Sequence, residues 1–179
     1  MNKTVFKFLT VGISLIVAVG IALWLVGYRI NVTPSFPLGV WRKIHNFDPN
    51  RDLGKLVLIS PVESQAFDLA KDRHYLQFGF SETSLQPLLK QVLGLPGDSV
   101  TVSENGVWIE GSYVVNSVPL KQDSKGRELT WAASQILGDG WVWVMSTYSP
   151  KSFDSRYFGP LPMANIQAVM EPVWLWRSF

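Results

Sequence analysis

Ser99-Val-Thr-Val-Ser-Glu-Asn105-Gly106-Val-Trp-Ile-Glu110 reads as a β-hairpin: apolar residues alternate with polar ones, an Asn-Gly pair makes the turn, and the alternation resumes beyond it. Other stretches repeat this grammar. Lys55 to Ser60 is an apolar run ended by Pro61, suited to a buried strand, and Gly140 to Met145 is rich in aromatic and β-branched residues. Val169 to Trp176 predicts a last strand, with Pro172 placing it at a sheet edge. Helical patterns are few. Glu63 to Tyr75 carries Ala66, Phe67, Leu69 and Ala70 at helical spacing, and Ser81 to Gln86 suggests a second helical turn that stops before Pro87. Pro119 to Gly140 mixes charges and glycine and predicts a surface excursion. The fold class that follows is mainly β, with one or two short helices. No internal repeat or low-complexity segment interrupts it.

The N-terminus follows a different rule. Phe8 to Val26 contains 19 residues without a charge, enough for a helix across a hydrocarbon core of about 30 Å. Trp24 and Tyr28 stand at its far end, where amphipathic rings favour an interface. Lys3, Lys7 and the terminal amine precede it and predict a cytoplasmic start with the remainder outside, although Arg29, Arg42 and Lys43 weaken the asymmetry. A cleaved signal peptide is the competing reading, but the run is long for one and its exit offers no small-x-small pair. The expected organisation is therefore a cytoplasmic segment 1–7, a transmembrane anchor 8–28 and an extracytoplasmic domain 29–179. Trp174, Trp176 and Phe179 are candidates to rest on the bilayer, or to belong to the last strand.

Composition excludes several chemistries. There are 16 Lys+Arg against 14 Asp+Glu, and both surplus lysines precede the apolar run, so the remainder is charge-balanced and presents no nucleic-acid face. The chain has no cysteine, which removes disulfides, thiolate metal sites and Cys nucleophiles. Only His45 and His74 are present, one in an Asn/Asp/Pro turn and one on a charged helix face. Neither suits a Ser-His-Asp triad or a zinc site, and no Gly-rich loop offers to cradle phosphate. No metal and no cofactor are expected. What remains is a serine served by a lysine. Lys90 lies in the apolar run Leu88-Leu-Lys90-Gln-Val-Leu-Gly94-Leu-Pro-Gly97-Asp98, either snorkelling outward or held as a desolvated amine. Ser35 lies between Pro34 and Pro37, nine residues past the apolar run, in either a stiff linker or a reactive loop.

Three blocks read together carry a resemblance. Thr33-Pro-Ser35-Phe-Pro37-Leu-Gly39-Val-Trp41, Lys90-Gln-Val-Leu-Gly94-Leu-Pro-Gly-Asp98 and Ser152-Phe-Asp154-Ser-Arg156-Tyr-Phe-Gly-Pro160 resemble, in order, the motifs of the type I signal peptidase family of Ser-Lys proteases. Within that family they are similar to the conjugative-transfer branch represented by TraF peptidases. The resemblance implies a signal-peptidase-like antiparallel β-sheet catalytic domain, with Ser35 as nucleophile and Lys90 as general base. It further implies that Thr33 assists the oxyanion hole beside the nucleophile's N–H, that Ser152 orients the amine, and that Asp154 and Arg156 form an ion pair shaping the third block. Asp154 as a third catalytic member is the alternative. Gly94 to Asp98 would be a tight turn after the strand bearing Lys90.

Departures sharpen the assignment to the branch. Housekeeping members space the serine and its proline one residue wider and begin the third block with Gly-Asp-Asn, where this chain has Ser146-Thr147-Tyr148; a Gly-Asp-x-Val block appears here as Gly54-Lys55-Leu56-Val57. The resemblance thus implies a membrane-anchored serine endopeptidase of the bacterial inner membrane with its catalytic domain in the periplasm. Its partners would be the lipid bilayer and a propilin or preprotein of a conjugative or type IV secretion system, with pilin cyclisation a further implied step. The rival expectations are a general signal peptidase I and a non-catalytic pilus-assembly scaffold.

Overall fold

The apolar run forms α1 (Lys3–Leu25) in the computed structural model, which describes residues 3–79 and 81–176. Its stretch Lys7–Leu25 has a mean hydropathy of 2.5 and none of it is buried, so this helix is long and apolar enough to cross a membrane. Gly27, at a φ of 96°, ends it by turning the chain into the left-handed region, and its N–H donates to the Trp24 carbonyl at 3.1 Å. Arg29 caps the same carbonyl at 2.8 Å and lies over the Trp24 ring, 4.8 Å from its centroid. Tyr28, grouped with the anchor on sequence, instead starts the first strand. Phe179 lies outside the described residues.

The body carries β1 (Tyr28–Asn31), β2 (Gly39–His45), β3 (Leu56–Ile59), α2 (Gln65–Asp72), β4 (Leu88–Gly94), β5 (Ser99–Ser103), β6 (Gly106–Ile109) and β7 (Ser112–Tyr113). It continues with β8 (Gln135–Ile136), β9 (Trp141–Met145), α3 (Ser155–Phe158), β10 (Leu161–Pro162) and β11 (Ile166–Leu175). The fold is mainly β and every strand pairing is antiparallel. One sheet has the order β1-β2-β11-β3-β4-β9-β10, the other β7-β6-β5-β8. The larger sheet buries Val57, Ile59, Leu88, Val92 and Val142 with Phe67 of α2, while Trp143 and Met145 of β9 pack against Val100 and Val107 of the smaller one. A third cluster of Phe36, Trp41, Leu89, Ala168 and Met170 fixes the loop after β1.

Three local expectations need correction. The hairpin turn is Glu104–Asn105, and Gly106 already pairs with Ser103. Only glycine fits there, since a Cβ would lie 2.6 Å from the Tyr113 ring. Ser81 to Gln86 is not helical: Ser84 N–H bonds the Ser81 carbonyl in a tight turn, Ser81 Oγ bonds both the N–H and the carbonyl of Leu85, and Phe78 pairs with Leu85 in an antiparallel bridge, local bonding that competes with helix. β11 lies inside the sheet order rather than at its edge. Pro172 is tolerated because β3 pairs only with its first half, Ile166 to Val169, and a bulge between Pro172 and Trp174 adjusts the register with β2.

Gly39 opens β2 where β11 crosses close by. A Cβ would sit 2.2 Å from the Trp174 carbonyl oxygen and 2.8 Å from Leu175 Cα, both backbone atoms. Gly39→Ala is therefore expected to lose about 1–3 kcal/mol, the cost of overpacking. Chemical denaturation of the full chain in detergent checks this; an unchanged midpoint would mean that β11 gives way freely.

Candidate active site

Ser35 is carried by the loop between β1 and β2, closed where Asn31 pairs with Gly39. Two prolines stiffen it, and a buried side chain organises it. Asn31 Nδ2 donates to the carbonyls of Thr33 (3.1 Å), Phe36 (3.0 Å) and Pro37 (3.1 Å), while its Oδ1 accepts the Thr33 N–H (3.1 Å) and hydroxyl (2.8 Å). Phe36 anchors the loop in the core beside Trp41, whose indole N–H donates to the Pro37 carbonyl at 3.3 Å. In this arrangement the Thr33 hydroxyl proton serves the loop through Asn31.

Lys90 sits in β4, whose two edges are paired with β3 and β9, and its side chain falls among the buried positions of the strand. It is 2% exposed, so the amine does not snorkel. Burial lowers its pKa to about 8; the nearby Asp154 carboxylate opposes the fall and the Arg156 guanidinium adds to it. Nζ donates to Ser152 Oγ at 2.9 Å, and Ser152 Oγ in turn lies 3.5 Å from Ser35 Oγ. The strand ends in a tight turn over Leu95 to Asp98, closed by Asp98 N–H to the Leu95 carbonyl and Leu95 N–H to Asp98 Oδ2.

The third block supports both side chains. Asp154 caps α3 and forms a bidentate pair with Arg156: Nε to Oδ1 and Nη2 to Oδ2, each 2.8 Å, with both side chains fully buried. Arg156 spends its other protons on the carbonyls of Asn116 (2.9 Å), Pro150 (3.0 Å) and Ser152 (3.0 Å). Asp154 Oδ2 also accepts the Ser146 N–H at 3.1 Å. The carboxylate is thus committed to a structural ion pair, as the alternative to a catalytic role.

Ser35, Thr33 and Lys90 line one cleft of about 430 Å³, whose walls include Leu88, Leu120, Phe153 and Tyr157. Its far wall is latched: the Tyr75 hydroxyl and Arg127 Nε each donate to Asp123 Oδ2 at 2.6 Å. Among the described residues no group of three or more His, Asp and Glu is placed to hold a metal ion. His45 faces Arg51 and Asp52 in its turn, and His74 lines the cleft from the end of α2. Sequence reasoning missed Asn31, although an Asn beside a Pro-rich turn signals local backbone bonding. Ser146 shows in the sequence only as a departure from the glycine that opens the family's third block, which gives no hint of its bond to Ser35.

The arrangement can therefore present a hydroxyl to a bound peptide beside a largely desolvated amine. Comparison with known proteins agrees in kind. The family described as "Signal peptidase, peptidase S26" matches residues 3–176. The chain is 35% identical over 174 residues to "Conjugal transfer protein TraF" of Agrobacterium fabrum (strain C58 / ATCC 33970), covering 97% of each. It is 36% identical over 152 residues to "Plasmid transfer protein TraF" of Escherichia coli, covering 84% of each. Identity to "Signal peptidase I" of Leptolyngbya laminosa is 25% over 167 residues, 88% of this chain and 72% of that one.

Proposed function

The chain belongs to the signal peptidase family, peptidase S26, and from that premise we propose that it is a membrane-anchored serine endopeptidase of the TraF type, using Ser35 as nucleophile and Lys90 as general base. The observation that carries the reading is the buried Lys90 amine bonded to Ser152, whose hydroxyl reaches toward Ser35 in a cleft wide enough for a peptide. A neutral amine has one lone pair. Ser152 takes up one of its N–H bonds and so helps to aim that lone pair. Ser35 Oγ adds to the scissile carbonyl as its proton passes to Nζ, and the same proton then goes to the leaving amine as the C–N bond breaks. In this reading the Ser35 backbone N–H meets the oxyanion, and the Thr33 hydroxyl joins it once released from Asn31. The acyl-enzyme is resolved by water, or by an amine of the substrate to close a ring.

The substrate in this reading is an exported propilin; the two TraF relatives, named for conjugal and plasmid transfer, support the transfer setting. α1 anchors the chain in the inner membrane, and the two lysines ahead of its apolar core favour a periplasmic catalytic domain. Ser35→Ala and Lys90→Ala are each expected to abolish maturation of a propilin co-expressed from the same transfer gene set. Unimpaired processing by either variant would sink the dyad. Processing of many unrelated preproteins by the wild type would point to a general signal peptidase, and the mass of the product separates hydrolysis from cyclisation, because a closed ring lacks one water.

A further inference from the structure

Ser146 follows the last residue of β9 and is fully buried, yet it makes more hydrogen bonds than packing requires. Its hydroxyl donates to the Ser35 carbonyl oxygen. Ser146 Oγ itself accepts the N–H groups of Tyr148 (3.2 Å) and Ser149 (3.0 Å), and the Ser146 backbone N–H donates to Asp154 Oδ2. All of its hydrogen-bonding groups on this side are therefore committed, and the hydroxyl proton has one direction to point. The loop's carbonyls at Thr33, Phe36 and Pro37 are held from β1 and β2 by Asn31 and Trp41. The carbonyl of Ser35 itself is held from the opposite side, by Ser146.

This matters because ψ of Ser35 links its carbonyl to its own Cα and side chain. Fixing that carbonyl fixes where Oγ sits relative to the Ser35 N–H and the Lys90 amine. We infer that Ser146 is a positioning residue for the nucleophile: it ties the Ser35–Phe36 peptide to the Asp154–Arg156 pair, so that the framework orienting Ser152 also sets Ser35. The inference rests on the Ser35–Lys90 reading proposed above. It concerns a hydroxyl in a place where housekeeping signal peptidases begin their third block with glycine, which offers no side-chain donor.

The test uses the full chain in detergent with the fastest-cleaved peptide recovered by mass spectrometry from a mixed-sequence library. Ser146→Ala is expected to lower kcat about 10- to 100-fold, the scale of a small misplacement of a reacting group, with KM changed by no more than roughly twofold. The pH at which kcat reaches half its maximum should stay where it is, because the surroundings of the Lys90 amine are untouched. Ser146→Thr keeps the hydroxyl and is expected to recover most of the rate. Ser146→Cys keeps the packing but offers only a weak donor, so it should lose rate as the Ala variant does, and it serves the same comparison if the Ala variant does not fold. Full kcat in the Ala or Cys variant overturns the inference. So does a rate loss that Thr fails to recover, or one accompanied by a shifted pH midpoint. Ser35→Ala run in parallel separates the two claims: if it still turns over, the reading of the site falls, whatever Ser146 does.

Discussion

Lys90→Met is expected to give a protein that no longer cleaves substrate but melts at a higher temperature than the wild type. The amine is buried and its pKa is lowered from 10.5 to about 8, so the unfolded chain holds the proton more tightly than the folded one. Below about pH 8 the amine is charged in both states and the whole cost of burying that charge is present. Between about 8 and 10.5 the folded amine is neutral while the unfolded one is still charged, so stability rises with pH; above 10.5 the cost is gone. The gap corresponds to roughly 3 kcal/mol, and the lost bond to Ser152 offsets about 1 kcal/mol of what an apolar side chain regains. A net gain of about 2 kcal/mol at pH 7 raises Tm by roughly 4–8 °C for a chain of this size. Thermal unfolding in detergent at pH 7 and pH 10 checks both sign and window: the advantage should shrink at the higher pH. Equal melting at pH 7 would show that the wild-type amine carries no such cost. For the wild type, the same titration predicts activity rising through about pH 8, since only the neutral amine can accept the serine proton.

Arg156→Ala acts in the opposite direction. It strands the fully buried Asp154 carboxylate and releases the carbonyls of Asn116, Pro150 and Ser152 from their donor. Breaking a buried pair in this way costs about 3–5 kcal/mol, a large part of the stability of an ordinary domain. Arg42→Ala supplies the contrast: its pair with Glu171 is 47% and 40% exposed, and such pairs contribute at most about 1 kcal/mol. Chemical denaturation of both variants should separate them clearly. Similar midpoints would mean that water reaches the Asp154 site and replaces the guanidinium.

The sequence exposed those elements whose surroundings repeat along the chain. β3, β9 and the β5–β6 hairpin follow from apolar runs and alternation, and α2 from its apolar spacing. What it hid depends on contacts distant in sequence. Pro172 suggests an edge because a proline lacks a donor, but β11 meets β3 over only part of its length, a fact of register. Burial of Lys90 was undecidable from its apolar neighbours, since a strand inside a sheet is apolar on both faces whichever way its one charged residue points. Ser81 to Gln86 had the composition of a helical turn, and the Ser81 hydroxyl diverted the backbone. Ser146 lies 111 positions from Ser35, and nothing local to either announces their bond.

The joint at Gly27 and Arg29 has a geometric consequence. Ser35 follows Gly27 by only eight positions, and an extended chain of eight steps reaches no more than about 28 Å. The Arg29 cap and the pairing of β1 with β2 shorten that span further. In the reading proposed above, with α1 embedded in lipid, the molecule would act as a calliper: it would measure height above the bilayer, and a peptide bond beyond its jaws would go uncut however well its side chains fit.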